Sequence, residues 1–340
     1  MKTFDKENNI EIYILNNDIT DNVDLYKFFG KIVVGIYHGA YLSYIYINET
    51  LLYKSWENFA EYDSFIHIIP DDYYVYKKLG FTNSIYMPDI NTFDYTKTPS
   101  SDLVFKNILI VGKLCDEIKG EQYGLLAMAE ILKKVPDAKL TILGLNPEKL
   151  ENLAKELNIE NSVYCPGFSK NISELYLNAS VVLVPAISEA YHLSINEGKA
   201  YGLPIVAFNI EYKPSLQSGV ITVDMLDYKA MVNEAIKLLN DYDYRRKKGE
   251  EAKLSLNNYS DNNEIVNMWD RLFESLIFNS DDYKKLQEEV EREYYNEEEA
   301  KNHLEKHYHY AQQFNKYFRC HSFENMTNLS YINNIDECPM

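Results

Sequence analysis

The sequence predicts an α/β protein whose centre is a doubly wound parallel sheet. Two observations carry that prediction. Between residues 107 and 239, short apolar runs of strand length alternate with segments whose apolar residues recur at helical spacing. The connections between them are short, and several runs end in Gly or Pro. The chain's 340 residues, at roughly 150 per domain, predict about two domains.

The elements of the central segment follow in order. Asn107-Ile-Leu-Ile-Val-Gly112 reads as a buried strand. From Gln122 to Val135, Leu125, Met128, Ala129 and Leu132 fall at i, i+3, i+4 and i+7, one face of a helix. Lys139–Gly144 is the next strand. Pro147–Leu157 is a helix with Pro in its first turn and Glu148 at its positive end. Ser162–Cys165 is a third strand and Ile172–Asn178 a short helix. Ser180–Pro185 is a fourth strand, followed by a helix from Leu193 to Tyr201 with Gly202 at its C′ position. Pro204–Phe208 and Val220–Val223 are further strands, and Tyr228–Leu239 a helix.

The first hundred residues carry a weaker version of the same alternation. Glu11–Leu15, Lys31–Gly35, Ser64–Ile69 and Ser84–Met87 read as strands, Leu51–Tyr62 and Asp72–Leu79 as helices. Phe93–Ser101, with Pro99, reads as a linker. Beyond the centre, Asn263–Phe278 is an amphipathic helix and Asp281–Phe318 a strongly charged helical stretch. The expected organisation is residues 1–100, 101–258, a closing helix over 259–278, and a charged extension and tail over 279–340.

Composition narrows the function classes. Apolar residues make up 46% and charged ones 25%, the balance of an ordinary globular chain. With 34 basic against 52 acidic residues the net charge is −18, which opposes approach to nucleic acid or anionic membranes. A phosphate site is then a local basic pocket, insulated by screening over about 8 Å. The 30 tyrosines read first as compositional bias. Cys115, Cys165, Cys320 and Cys338 form no C-x-x-C pair, which suits free thiols in a reducing compartment. The N-terminus has no signal-peptide core and no apolar run reaches membrane-spanning length, so a cytoplasmic protein is expected.

Candidate chemistry gathers at predicted strand ends, where open α/β sheets hold ligands. After Asn107–Gly112 come Lys113 and Lys119-Gly120, two lysines six apart that can converge on an anion. After Ser180–Pro185 comes Ser188-Glu189-Ala190-Tyr191-His192-Leu193, leading into a helix whose N-terminus offers free N–H groups and partial positive charge. Glu197, one turn into that helix, can accept two hydrogen bonds from sugar hydroxyls.

These residues resemble the nucleotide-sugar domain of glycosyltransferase family 4, whose GT-B fold has two facing Rossmann-like domains. The shared elements are Gly112-Lys113, Lys119-Gly120, Glu189 and Glu197 with seven residues between, and Gly202-Leu203-Pro204. Tyr37-His38-Gly39 is similar to the family's first-domain strand-end His, and Tyr86–Ile90 to the segment leading into its linker. The resemblance covers roughly residues 30–278 and is best over 107–240. It implies a retaining transfer from a nucleoside-diphosphate sugar, the choice between UDP-hexose and GDP-mannose being left open, with no metal or other cofactor. It implies that Lys113 and Lys119 bind the diphosphate, Glu189 the donor-sugar hydroxyls and Glu197 the ribose. Backbone amides of Tyr191, His192 and Leu193 hold the phosphate in that reading. The turn at Gly167 lies beside the base, and His38 reaches the sugar from the opposite domain. The acceptor, a glycan, lipid or protein, is left open.

The chain departs from the family in three ways. Lys113 stands for Arg, which keeps the charge but loses the bidentate fork. Ala190 and His192 stand where the family has Gly, so His192 either crowds the phosphate or donates to it. The first domain is abbreviated, with no Gly-rich loop ahead of His38, so half of the acceptor domain is expected to be absent or supplied by another chain. The alternative function is a noncatalytic nucleotide-sugar-binding or scaffold protein acting with a partner, which the shortened first domain or the C-terminal helices would engage. His303, His307 and His309 offer zinc-compatible spacing but lack the His-Glu-x-x-His pattern, and Cys320-His321 is equally thin. That stretch reads as a solvated, charged helix.

Overall fold

The structure, a computed structural model, describes residues 10–16, 23–28, 30–38, 59–90, 94–114, 119–187, 189, 191–210, 219–258, 262–294, 296–298, 301–302 and 305. The chain divides into two compact units. The first is Met1–Ile90 with Ser260–Gln312, the second Asn91–Tyr259 with Gln313–Met340.

The first unit holds a parallel sheet of β1 (Ile12–Asn16), β2 (Ile32–Tyr37), β3 (Ser64–His67) and β4 (Ser84–Tyr86), in that order. Helix α1 (Val23–Phe28) joins β1 to β2, and α2 (Pro70–Lys78) joins β3 to β4. Its core is aromatic: Phe59, Tyr62, Phe65 and Tyr76 surround Val33, with Phe59 and Phe65 rings 4.2 Å apart. Gly35 has no room for a side chain, since a Cβ there would lie 2.6 Å from the Phe65 ring and 2.8 Å from Tyr62. The expected helix Leu51–Tyr62 is described only at its end, residues 59–61.

The second unit carries a six-stranded parallel sheet. Its strands are β5 (Asn107–Leu114), β6 (Lys139–Leu145), β7 (Val163–Gly167), β8 (Val181–Val184), β9 (Ile205–Asn209) and β10 (Val220–Asp224). Their order is β10-β9-β8-β5-β6-β7. The chain runs outward from β5 to β7, then returns to the other side of β5, so β5 and β8 are neighbours at the topological switch point. The inner strands are apolar on both faces because helices cover them: β8 is buried at every residue, whereas the edge strands β7 and β10 are only partly buried.

The connecting helices are α3 (Glu121–Leu132), α4 (Pro147–Glu156), α5 (Ile172–Asn178), α6 (Leu193–Ala200), α7 (Tyr228–Asn240) and α8 (Tyr242–Ser255). Helix α3 stops at Leu132 rather than Val135, where the chain turns toward Pro136 and the residue before a proline is pushed out of helical geometry. Gly202 follows α6 in the left-handed conformation (φ +68°), the C′ role its sequence position predicts.

Helix α8 is an addition to the sequence reading. Its buried residues are Arg245, Gly249, Ala252 and Ser255, so it has no large apolar stripe to read. The small residues are needed because α8 packs closely: a Cβ on Gly249 would meet the Gly202 carbonyl oxygen at 2.0 Å. Arg245 donates to the carbonyls of Leu103, Leu238 and Leu239 and so ties the α7 end to the start of the unit.

Helices α9 (Asn262–Phe278) and α10 (Asp282–Tyr294) belong to the first unit. Leu286 and Val290 of α10 are buried. Tyr283 bonds Ser64 and Asn83, and Gln287 donates to the carbonyls of Thr82 and Ser84. No helix among the described residues is long and apolar enough to cross a membrane.

Candidate active site at the carboxyl ends of β5 and β8

The loops that leave β5 and β8 emerge side by side, because those strands pair through Ile108–Val181 and Leu109–Val182. Gly120 closes the first loop and opens α3 with φ +68°, a conformation that favours Gly. It also lies against the second loop: a Cβ on Gly120 would stand 2.1 Å from the Pro185 carbonyl oxygen. Glycine is therefore required twice at this position, by torsion and by approach.

That approach brings Lys119 and Glu189 together. The Lys119 ammonium forms an ion pair with the Glu189 carboxylate, each side chain about three-quarters buried. The family resemblance implies different ligand groups for these two residues. The fold places them in one cluster across the switch point. Lys113 is the penultimate residue of β5, and its side chain lies outside the described atoms, as do Ser188 and Ala190.

Helix α6 begins at Leu193 directly after the second loop, with His192 in the N-cap position and no side-chain cap. His192 is buried, so its imidazole packs into the protein body. The Leu193 amide donates to the Tyr191 carbonyl at 3.0 Å, an interaction within the loop, and the Leu193 side chain is exposed. Tyr191 is anchored through its hydroxyl, which accepts a hydrogen bond from the Asn196 amide at 2.7 Å.

Glu197 lies one turn into α6 and is half-buried. Its carboxylate accepts a 2.6 Å hydrogen bond from the Tyr176 hydroxyl. Burial pushes the Glu197 carboxyl above its ordinary range, and the Tyr176 hydrogen bond pulls it back. Burial and the neighbouring Glu197 charge raise the Tyr176 phenol well above its ordinary value. Lys199, two residues on, is fully buried, and desolvation lowers its ammonium to about 8.

Gly167 ends β7 with φ +73°, turning the chain so that Phe168 projects into solvent. Neighbouring Cys165 has its thiol raised to about 11 by burial, far from a reactive thiolate. In the first unit, His38 stands just past β2 with its Nδ1 3.5 Å from an Asp89 carboxylate oxygen. The sequence places both residues in separate family-like segments; the parallel order β2-β3-β4 brings them together. The histidines at 303, 307 and 309 and the Cys320-His321 pair lie outside the described residues.

Sequence reasoning passes over Tyr176 and Asn196. Tyr176 leaves one signal: a tyrosine at the core-facing position of a short helix needs a buried partner for its hydroxyl.

Residues 99–255 match the family model for glycosyl transferases group 1. An uncharacterized glycosyltransferase of Haemophilus influenzae is 38% identical over 135 residues, covering 39% of this chain and 38% of that one. N-acetyl-alpha-D-glucosaminyl L-malate synthase of Bacillus anthracis is 27% identical over 167 residues, covering 47% and 43%. Among solved structures, a sucrose-phosphate synthase from Thermosynechococcus elongatus superposes with a TM-score of 0.69 at 19% identity, covering 82% of this chain and 77% of that one. The fold is the GT-B α/β fold of these glycosyltransferases. The chain spans less than half the length of the curated relatives it matches.

Proposed function

From the group 1 glycosyl transferase domain at residues 99–255, we propose that the protein transfers a sugar from a nucleoside-diphosphate donor with retention of anomeric configuration. The observation that carries this reading is the junction of the β5 and β8 loops at the switch point, where Lys119 and Glu189 meet beside the start of α6. In this scheme the donor diphosphate binds Lys119 and Lys113. At the Lys119 ammonium a phosphate oxygen replaces the Glu189 carboxylate, one anion for another. Glu189 is then released to accept hydrogen bonds from donor-sugar hydroxyls.

In the same scheme Glu197 accepts from the ribose, and the amides of Tyr191 to Leu193 donate to the phosphate at the positive end of α6, the Leu193 amide exchanging the Tyr191 carbonyl for it. The turn at Gly167 borders the base, and His38 takes its role toward the transferred sugar from the family resemblance. Lysine charge and backbone amides stabilise the departing diphosphate, which is where negative charge develops as the glycosidic bond breaks. No metal ion or other cofactor has a part in this scheme.

The test is calorimetric titration of wild-type protein and Lys119→Ala with the nucleoside diphosphate bound best among UDP, GDP and ADP. Loss of a charge-assisted contact is expected to weaken binding at least about tenfold, or about 1.4 kcal/mol. Equal affinity of the two proteins would remove Lys119 from the diphosphate site.

A further inference from the structure

We propose that Tyr176 is a positioning residue for the nucleotide, acting by fixing the carboxylate of Glu197 for contact with the ribose hydroxyls. The inference rests on the reading of Glu197 as the ribose contact. Tyr176 is the one buried residue of α5, and it is fully buried. Its ring lies flat on the Tyr201 ring, with centroids 5.1 Å apart and planes 7° from parallel. Tyr201 is itself held at the end of α6, where its amide donates to the Glu197 carbonyl at 3.2 Å. The phenol therefore has one available position, and from it the hydroxyl donates to Glu197 Oε2 at 2.6 Å.

Among the described residues this is the hydrogen bond the Glu197 carboxylate receives, and it engages one oxygen. Oε1 is left to accept from a ligand. A glutamate has three side-chain torsions, and a half-buried one without such an anchor spreads over several rotamers. Holding one oxygen removes that freedom before the ligand arrives, so less ordering entropy opposes binding. The hydrogen bond also favours the ionised carboxylate against the burial that disfavours it, and an ionised group makes the stronger acceptor. Helix α5 is the segment that carries the chain from the edge strand β7 back to β8. The connection that creates the switch point thus also supplies the anchor for a residue of the site.

The experiment compares a ribonucleoside diphosphate with its 2′,3′-dideoxy counterpart, using whichever of UDP, GDP or ADP wild-type protein binds best. Wild-type protein is expected to favour the ribonucleotide by about tenfold or more, and Glu197→Gln to erase that preference. Tyr176→Phe is expected to weaken the ribonucleotide by roughly three- to tenfold and leave the dideoxy nucleotide unchanged, a pattern that general loosening of the unit does not produce. Tyr201→Leu removes the stacked ring but keeps the hydroxyl, and should give a smaller loss with the same dependence on ribose. It provides the test if Tyr176→Phe fails to fold. The proposal is overturned if Tyr176→Phe, or Tyr201→Leu in its place, weakens both nucleotides equally or keeps the full ribose preference that Glu197→Gln loses. If Glu197→Gln keeps the preference, the ribose assignment falls first and the inference falls with it.

Discussion

Replacing Gly120 with alanine tests how the two loops of the site are held together. At φ +68° a side chain costs about 1–2 kcal/mol in the left-handed region. The added Cβ would also lie 2.1 Å from the Pro185 carbonyl oxygen, well inside van der Waals contact, so one loop must move. Overpacking of that kind costs about 1–3 kcal/mol. The expected destabilisation of the second unit is therefore about 2–5 kcal/mol, or a fall of at least about 4 °C in its melting temperature. Gly30→Ala supplies the control: Gly30 has φ +65° but nothing within 4 Å of its added Cβ, so it bears the torsional cost alone. Scanning calorimetry of the two variants separates torsion from contact. Because the displaced loop carries Lys119, Gly120→Ala should also weaken nucleoside diphosphate binding about tenfold or more. The reasoning is refuted if Gly120→Ala destabilises no more than Gly30→Ala and binds nucleotide as wild type does.

Three further predictions concern the scaffold. His67 is buried against Ser84, and burial lowers its imidazole to about 3 from an ordinary 6.5. The fold thus favours the neutral ring: its contribution is fully present above about pH 6.5 and is lost as pH falls toward 3, with a slope of up to about 1.4 kcal/mol per pH unit. Denaturant unfolding followed by tryptophan fluorescence should show that slope, and His67→Gln should flatten it. Arg245→Met should destabilise the second unit by about 3 kcal/mol or more. It strips hydrogen bonds from the carbonyls of Leu103, Leu238 and Leu239, as urea titration would measure. Gly249→Ala should lower the melting temperature of the same unit, because its Cβ would meet the Gly202 carbonyl oxygen at 2.0 Å; an unchanged transition would disprove the close helix approach.

The second unit's strands are legible in the sequence because their runs are apolar on both faces and bounded by Gly, Pro or Asn, as in Asn107–Gly112 and Pro204–Phe208. Strand ends differ from expectation by a residue or two. β5, for example, continues through Lys113 to Leu114 because backbone pairing with β6 extends past Gly112. Helix α1 is only six residues long, too short for a period to show. Helix α8 is hidden for another reason. Its packing face is Gly, Ala, Ser and an arginine whose donors reach backbone carbonyls, so hydrophobicity carries no trace of it.

The candidate site divides the same way. Lys119 is readable from its strand-end position, Glu197 from its place one turn into a helix and Glu189 through the family resemblance, whereas their partners are not. The Lys119–Glu189 pair spans 70 residues and the Tyr176–Glu197 hydrogen bond 21, and both depend on strand order rather than on neighbouring sequence. His192, expected at the phosphate either crowding it or donating to it, is buried at the start of α6.

The most direct test of the account is a thermal-shift series of the full chain with UDP, GDP, ADP and their sugar conjugates. A ligand that binds the folded state raises the melting temperature by an amount set by its concentration over Kd. The account predicts that one nucleotide, with its sugar conjugates, raises the melting temperature of the wild-type protein selectively. It also predicts that Glu197→Ala markedly reduces the shift. A cooperatively melting protein that responds to none of these ligands would contradict the assignment of a nucleoside-diphosphate site to the carboxyl ends of β5 and β8.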